Sequence, residues 1–173
     1  MIIRATTKVL KLSKLQPKTN NSDFKDSLPG EWYANIFSLG KPGKLGIYFV
    51  HQPTKITIIL PERSKKKAIE KLSGRVEGYL RRHGHLDLFP QFKLDMSTVD
   101  IFTTNSKSVL GHMNNIKWDI EYHCYQAERV EDIDFDWLED IFYDYFFGTK
   151  EIKSGFQSTE KILKEITIEI KNK

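Results

Sequence analysis

The residues best suited to chemistry lie in one stretch, residues 99–115, where an apolar run, a polar turn and a second apolar run follow one another. The change of period predicts a strand over residues 99–103 and a helix after the turn. Asn105, Ser106 and Ser108 can accept hydrogen bonds from backbone N–H groups at a helix start, and such an end also attracts anions. We expect Asn105 to cap this helix. The turn contains no acid, base or metal ligand. Capping and ligand binding are therefore both open, and no reaction is identified.

The sequence lacks the spacings that mark metal or nucleotide sites. Structural and catalytic zinc sites use patterns such as Cys-x-x-Cys or His-Glu-x-x-His, and neither occurs here. A Walker motif and a Gly-x-Gly-x-x-Gly motif are also absent. Cys124 stands among aromatic residues, as a core cysteine does. We therefore predict no metal site and no cofactor. The residues weighed as metal ligands are His51, His83, His85, His112, His123 and Cys124.

Basic residues cluster in a predicted helix that starts near Ser64 and ends near His83. Such a helix could follow a phosphate backbone, or it could simply present a solvated face. The candidate nucleic-acid contacts are Lys65, Lys66, Lys67, Arg75, Arg81 and Arg82. Acidic residues over 131–144 could pair with this helix, bind a basic partner, or solvate a helix rich in aromatic residues.

The totals favour one ordinary soluble domain spanning residues 1–173. A hydrophobic content of 39% and an aromatic content of 12% suffice for a packed core, whereas disordered chains are poorer in both. The net charge of +4 is only mildly basic. One cysteine excludes an intramolecular disulfide and suits a reducing compartment. The start of the chain has no apolar run long enough for a signal peptide or a membrane span, so we expect a cytoplasmic protein without a membrane partner.

Periodicity and turn chemistry predict an α+β fold. The clearest unit is an antiparallel meander of three strands, over residues 31–39, 45–50 and 56–60, with a Gly-Lys-Pro-Gly turn at residues 40–43. We expect helices packed mainly on one face of this sheet, and the strand at 99–103 in the same sheet. The other predicted elements are a strand at 2–5, a helix from Thr6 or Thr7, a loop at 17–29 and a helix at 135–145. Over 116–124 we favour a continued helix rather than a strand. The last element is either a helix after Ser158 or an edge strand at 167–170.

Three stretches resemble a bacterial family known only as a domain of unknown function. Its members share a Met-Ile-Ile-Arg-like first strand, a Trp-x-Ala-Asn strand and a Thr-x-Asn-Arg-Ser-Val-x-Gly-x-Met-Asn motif. This chain has them at residues 1–4, 32–35 and 103–114, with Ser106-Lys107 where an Asn-Arg pair is usual. The resemblance covers most of residues 1–125, and residues 128–173 form a more divergent, helical part. It implies a compact α+β domain and no known activity. The cluster that it suggests as ligand or partner contacts is Arg4, Trp32, Asn35, Asn105, Ser108, Gly111 and Asn114.

Two hypotheses about function follow from these features. The leading one is a small cytosolic, non-enzymatic domain that binds a protein or nucleic-acid partner. The alternative is a small hydrolase or nuclease-like enzyme with a pocket around residues 105–114. A binding module should present a grooved or charged face, whereas an enzyme should hold converging ionisable groups in a pocket.

Overall fold

The computed structural model describes residues 1–14, 16–19, 27–95, 97–145, 147–148 and 156–172. Its strands are β1 (Ile2–Ala5), β2 (Glu31–Ser38), β3 (Leu45–Gln52), β4 (Thr57–Leu60), β5 (Asp100–Thr103), β6 (Phe147–Gly148) and β7 (Phe156–Gln157). Its α-helices are α1 (Thr7–Ser13), α2 (Lys65–Arg82), α3 (Lys107–Gln126), α4 (Phe135–Tyr143) and α5 (Thr159–Lys171). Two 3-10 helices span Leu86–Phe92 and Val130–Asp132. The predicted loop at 17–29 lies partly outside the described residues.

The main sheet has five strands in the order β4-β3-β2-β1-β5. The predicted meander is confirmed, since β2, β3 and β4 pair antiparallel and the β2–β3 turn places Gly40 and Gly43 at φ of 72° and 71°. The prediction of an antiparallel sheet is wrong for the remainder, because β1 pairs parallel with both β2 and β5. Parallel pairing requires crossover connections, and α1 lies within the connection from β1 to β2. β6 and β7 form a separate antiparallel pair.

Helices cover both faces of the sheet, so the expectation that they pack mainly on one face is wrong. α1, α2 and α5 contribute Val9, Leu72 and Leu163 to the apolar cluster on one face, called the α2 face below. α3 and α4 contribute Met113 and Leu138 to the cluster on the other, called the α3 face. The physical reason is visible in β3, where every residue from position 46 to 51 is buried. A strand with apolar residues on both sides needs cover on both sides.

Helix boundaries agree closely with the sequence signals. Ser64 caps α2, since its hydroxyl oxygen accepts from the N–H of Lys67 at 3.5 Å. The helix that continues over residues 116–124 is confirmed as part of α3. The last element is a helix capped by Ser158 and not an edge strand at 167–170. In each case the polar cap and the three- and four-residue spacing of apolar positions act together.

Candidate functional site

The helix start at the centre of the sequence is built differently from the prediction. Ser106 caps α3, because its hydroxyl oxygen accepts from the N–H of Val109 at 3.3 Å. The prediction that Asn105 is the cap is wrong. Its side-chain oxygen instead accepts a hydrogen bond from the hydroxyl of Tyr33 in β2, at 2.7 Å. The short serine next to the first helical residue satisfies the helix end, which leaves Asn105 available to join the helix start to the sheet.

Three of the candidate residues lie on the α3 face of the sheet. Arg4 is fully buried and forms a two-bond ion pair with Glu31, with nitrogen–oxygen distances of 2.5 and 3.0 Å. Asn35 donates to the hydroxyl of Tyr48 at 3.2 Å and accepts from the hydroxyl of Thr6 at 2.9 Å. Asn105 joins this side through Tyr33. These separate polar contacts join β1 to β2, β2 to β3, and β2 to the residue just before the cap of α3.

The other four candidates lie elsewhere. Trp32 faces the α2 side, where its ring is buried with ring-centroid distances of 4.7 Å to His51 and 6.4 Å to Phe92. Alternation along β2 explains this, because successive side chains in a strand point to opposite faces. Ser108, Gly111 and Asn114 are exposed on α3. The structure therefore divides the seven candidates among the α3 face of the sheet, its α2 face and the exposed surface of α3.

The arginines of the basic helix α2 pair with the acidic helix α4. Arg75 contacts Asp136 and Glu139 at 2.5 and 2.7 Å, and Arg82 contacts Glu139 and Asp140 at 2.9 and 3.2 Å. Burial raises the pKa of Glu139 to about 7, and the two arginines act in the opposite direction. Asp136, Glu139 and Asp140 therefore pair with the basic helix. This was one of the three roles that the sequence left open for the acidic residues over 131–144.

Glu139 also fixes the edge of the sheet. Its side chain is fully buried and accepts from the backbone N–H of Ile59 in β4, at 2.8 Å. A strand edge with free N–H groups is a site for unwanted pairing, and here a carboxylate from α4 occupies one of them.

The remaining basic candidates have different surroundings. Arg81 pairs with Glu77 one turn earlier, at 2.7 Å. The ammonium of Lys65 donates to the carbonyl of Val9 in α1. Lys66 and Lys67 are exposed at the start of α2. The six candidates for nucleic-acid contact thus include two arginines held between α2 and α4 and two lysines open to solvent.

A surface that the sequence reasoning missed runs along the outer side of α3. Trp118, Tyr122 and Tyr125 are 75%, 62% and 75% exposed. Their spacing of four and three residues places them on one stripe of the helix. The buried stripe of α3 consists of Val109, Met113, Ile116, Ile120 and Cys124. At 100° per residue the aromatic stripe lies on the opposite side, so α3 carries apolar residues both inside and outside.

The aromatic stripe continues onto α4 through His123. The ring centroids of Tyr122 and His123 are 5.4 Å apart, and those of His123 and Trp137 are 5.2 Å apart. Trp137 is 52% exposed. We call Trp118, Tyr122, His123, Tyr125 and Trp137 the aromatic surface. The sequence signal was present, because residues 118, 122 and 125 form a second helical stripe once the segment is assigned to a helix.

The aromatic surface belongs to an acidic part of the chain. Residues 118–145 include ten aspartates and glutamates against one arginine. The acids are Asp119, Glu121, Glu128, Glu131, Asp132, Asp134, Asp136, Glu139, Asp140 and Asp144. Asp136, Glu139 and Asp140 are neutralised by arginines of α2. Asp119 lies between Trp118 and Tyr122 in the sequence of α3, whereas Glu121 is paired with Lys117 at 3.4 Å and accepts from the backbone N–H of Ser38 at 2.7 Å.

Within the described ranges, no group of three or more His, Cys, Asp or Glu residues is placed to hold a metal ion. Of the helices that the structure describes, none combines the length and apolar character needed to cross a membrane.

Comparison with known proteins identifies the family and adds no activity. No curated protein matches the sequence. A family model described as Domain of unknown function (DUF6933) matches residues 2–161, nearly the whole chain, which confirms the resemblance to a family of unknown function. The chain therefore belongs to the DUF6933 family.

Proposed function

We propose that this protein is a non-enzymatic binding module that docks a basic segment of a protein partner on its aromatic surface. The observation that carries the proposal is the exposure of Trp118, Tyr122 and Tyr125 on one stripe of α3, beside Trp137. Single exposed apolar residues are ordinary, but contiguous patches of large apolar side chains mark interaction sites. The single buried Cys124 fits a reducing compartment, and the proposal places the protein in the cytoplasm.

Aromatic side chains suit a docking surface energetically. Tyrosine and tryptophan bury a large area while few side-chain torsions are immobilised, and they are enriched among the residues that dominate binding energies. Covering each exposed ring should contribute about 1.5–3 kcal/mol before the costs of association. Together, three or four such rings would offset a cost of association of the same order.

The charge around these rings favours a basic protein over the other partners considered. Asp119 stands on the same helix as the rings and attracts lysine and arginine, whose cations also bind the faces of tryptophan and tyrosine, whereas Glu121 is already paired with Lys117. Asp119 also repels nucleic-acid phosphates. On α2, Arg75 and Arg82 are occupied by α4, which reduces the cationic surface available for a nucleic acid.

The hydrolase alternative has weaker support. It needs ionisable groups that converge in a pocket near residues 105–114. In the structure Asn105 is bound by Tyr33, while Ser108 and Asn114 are exposed on α3.

A peptide-display selection on the immobilised protein tests the proposal. We expect enriched peptides with net positive charge, because the surface is acidic and aromatic. Synthetic copies of the selected peptides should bind Trp118→Ala and Trp137→Ala at least about tenfold more weakly, as expected for residues that dominate an interface. Ile168→Ala is the matched control, since Ile168 is 59% exposed but lies on α5. Its affinity should stay within about twofold of the wild type.

Two results would overturn the proposal. One is a set of peptides whose binding is unchanged by Trp118→Ala and Trp137→Ala. The other is tight binding of a fluorescent single-stranded oligonucleotide that falls steeply with salt and is lost when Lys66 and Lys67 become Glu, which would support the nucleic-acid hypothesis instead.

A further inference from the structure

A cavity of about 630 Å³ lies on the α2 face, away from the aromatic surface. It is bounded by the end of α1, the beginning of α2 and the strands β2, β3 and β5. Sites for single small molecules typically measure about 300–1,000 Å³, and this cavity falls within that range. The inference below rests on this groove alone and is independent of the proposed partner surface.

The floor and walls of the groove are aliphatic. Ile36, Ile47 and Ile101 of the sheet form the floor, and Leu12 and Ile69 from α1 and α2 form the sides. Leu12 is 55% exposed, so it adds apolar surface at the open side of the groove. None of the described residues that line the groove is aromatic. An alkyl chain therefore matches these walls better than a flat ring system, which would gain from stacking.

Small side chains lie in the sheet beside the groove. A separate void of about 10 Å³ shares Ile47 and Ile69 with the groove and is also bordered by Ala5, Ala34 and Phe49. Alanine on adjacent parallel strands leaves the floor low at this point, since Ala5 pairs with Ala34 in the register of β1 and β2.

The rim of the groove is cationic. Arg63, Lys65 and Lys66 line it together with one acid, Glu70, so the lining carries a net charge of +2. The start of α2 adds the positive end of the helix dipole. Burial lowers the pKa of Lys65 to about 8, with desolvation as the cause. An anion beside this ammonium would restore part of the solvation that it has lost.

We propose that the groove binds a single-chain alkyl carboxylate, with the chain on the isoleucine floor and the carboxylate at Lys65, Lys66 and Arg63. Two independent features point to this class of ligand. The aliphatic lining selects an alkyl body, and the net charge of the rim selects an anionic head. Glu70 offsets one of the three cations, so a monoanionic head would leave the lining with a net charge of +1.

Titration with dodecanoate below its micelle concentration tests the proposal on the whole chain. Binding should be saturable and should shift the methyl NMR signals of Ile36, Ile69 and Ile101 but not those of Ile116 and Ile120 on the α3 face. Dodecyltrimethylammonium, which has the same chain and the opposite charge, should bind at least about tenfold more weakly. The pKa of Lys65 should rise when dodecanoate is bound.

Charge reversal at the rim separates this site from general attraction of an anion to a basic protein. Arg63→Glu with Lys66→Glu should weaken dodecanoate binding at least about tenfold. Lys67→Glu is the matched control, because Lys67 is equally exposed on the same turn of α2 but does not line the groove. All of these residues are exposed, so the fold should survive, as thermal unfolding can verify.

The proposal is overturned if dodecanoate shows no saturable binding, if the cationic amphiphile binds equally well, or if Lys67→Glu weakens binding as much as the rim variants do. Methyl shifts confined to the α3 face would also contradict it, because they would place the alkyl chain elsewhere.

Discussion

The two ends of the α2 face of the sheet are closed to different degrees, although β2 and β3 run through both. Along β2 the side chains on this face are Trp32, Ala34 and Ile36, and they change from fully buried to partly exposed. Along β3 the same change runs from His51 through Phe49 and on to residue 45. One end is filled with rings, and the other is the groove.

Large side chains and a covering element distinguish the closed end. The 3-10 helix over Leu86–Phe92 places Phe92 against the ring of His51, with ring centroids 4.9 Å apart. The ring of Trp32 also contacts that of His51. His51 is held on both sides, since its Nε2 donates to the carbonyl of Pro29 at 2.9 Å and its Nδ1 accepts from the hydroxyl of Thr54 at 2.8 Å. Gly30 lies so close to His51 that a Cβ there would collide with it.

In this fold, the size of the side chains and the elements that cover the sheet decide locally whether the α2 face is open or closed. β2 and β3 continue from one end to the other, whereas β1 ends at Ala5, opposite Ala34 and before the level of Ile36. In the groove, aliphatic residues of moderate size leave space between the sheet and the helices α1 and α2. At the closed end, aromatic residues and the 3-10 helix over Leu86–Phe92 fill the corresponding space. Three predictions follow from this difference.

The largest effect is expected at the closed end. Trp32→Ala should lower the free energy of unfolding by about 3–5 kcal/mol, because it removes a fully buried ring. Ile36→Ala on the same strand and face should cost only about 1 kcal/mol, since the groove already exposes part of this side chain. Denaturant unfolding measures both, with Trp32→Phe as an intermediate variant. Equal costs for the two alanine variants would show that the two ends are packed alike.

Acidification should also act through the closed end. Burial lowers the pKa of His51 to about 3, whereas in the unfolded chain its pKa is close to 6.5. The unfolded state therefore binds the proton first as the pH falls, so the contribution of His51 is complete above pH 6.5 and is lost progressively toward pH 3. Between pH 7 and pH 5 this should cost about 2 kcal/mol.

The measurement compares unfolding of the wild type and His51→Gln at both pH values. The pKa of His112 is lowered as well, to about 4, by burial, so the difference between the two proteins isolates His51. If both lose the same stability on acidification, the neutral buried state of His51 is refuted.

The smallest effect is expected from filling the open end. Ile36→Trp should change stability by less than about 1 kcal/mol, because the groove has room for the ring, while dodecanoate binding is lost. Leu88→Trp places a ring of the same size in the closed end and should cost about 1–3 kcal/mol through overpacking. Thermal unfolding and the dodecanoate titration are the two readouts. A large destabilisation by Ile36→Trp would mean that the groove cannot accept an added ring.

Local signals predicted most elements, and the reason is that each is encoded within a few residues. The turn at residues 40–43, the cap at Ser64 and the cap at Ser158 are decided by backbone conformation and by side chains next to the helix start. The prediction for Asn105 shows the limit of such signals. Two neighbouring residues could both cap α3, and a tyrosine 72 positions earlier in the chain bonds one of them.

The candidate sites depended on contacts that no local pattern contains. The aromatic surface became recognisable only when α3 was known to be a helix over its full length, because Trp118 and Tyr122 also fit an alternating strand. The groove requires Leu12, Ile36 and Ile69 to meet from three separate elements. The opposite charges of α2 and α4 suggested that the two helices pair. They did not predict which acids of α4 contact Arg75 and Arg82.

The sequence by itself determined most of the elements, the meander, the caps at Ser64 and Ser158, and the family. It did so because hydrophobic period and turn residues act over short distances. Only the tertiary structure decided that β1 joins the sheet in parallel and that helices cover both faces. It alone showed which charges are paired and where an apolar surface stays open. Those outcomes depend on the packing of segments far apart in the chain, and packing responds to the shape and volume of all partners together.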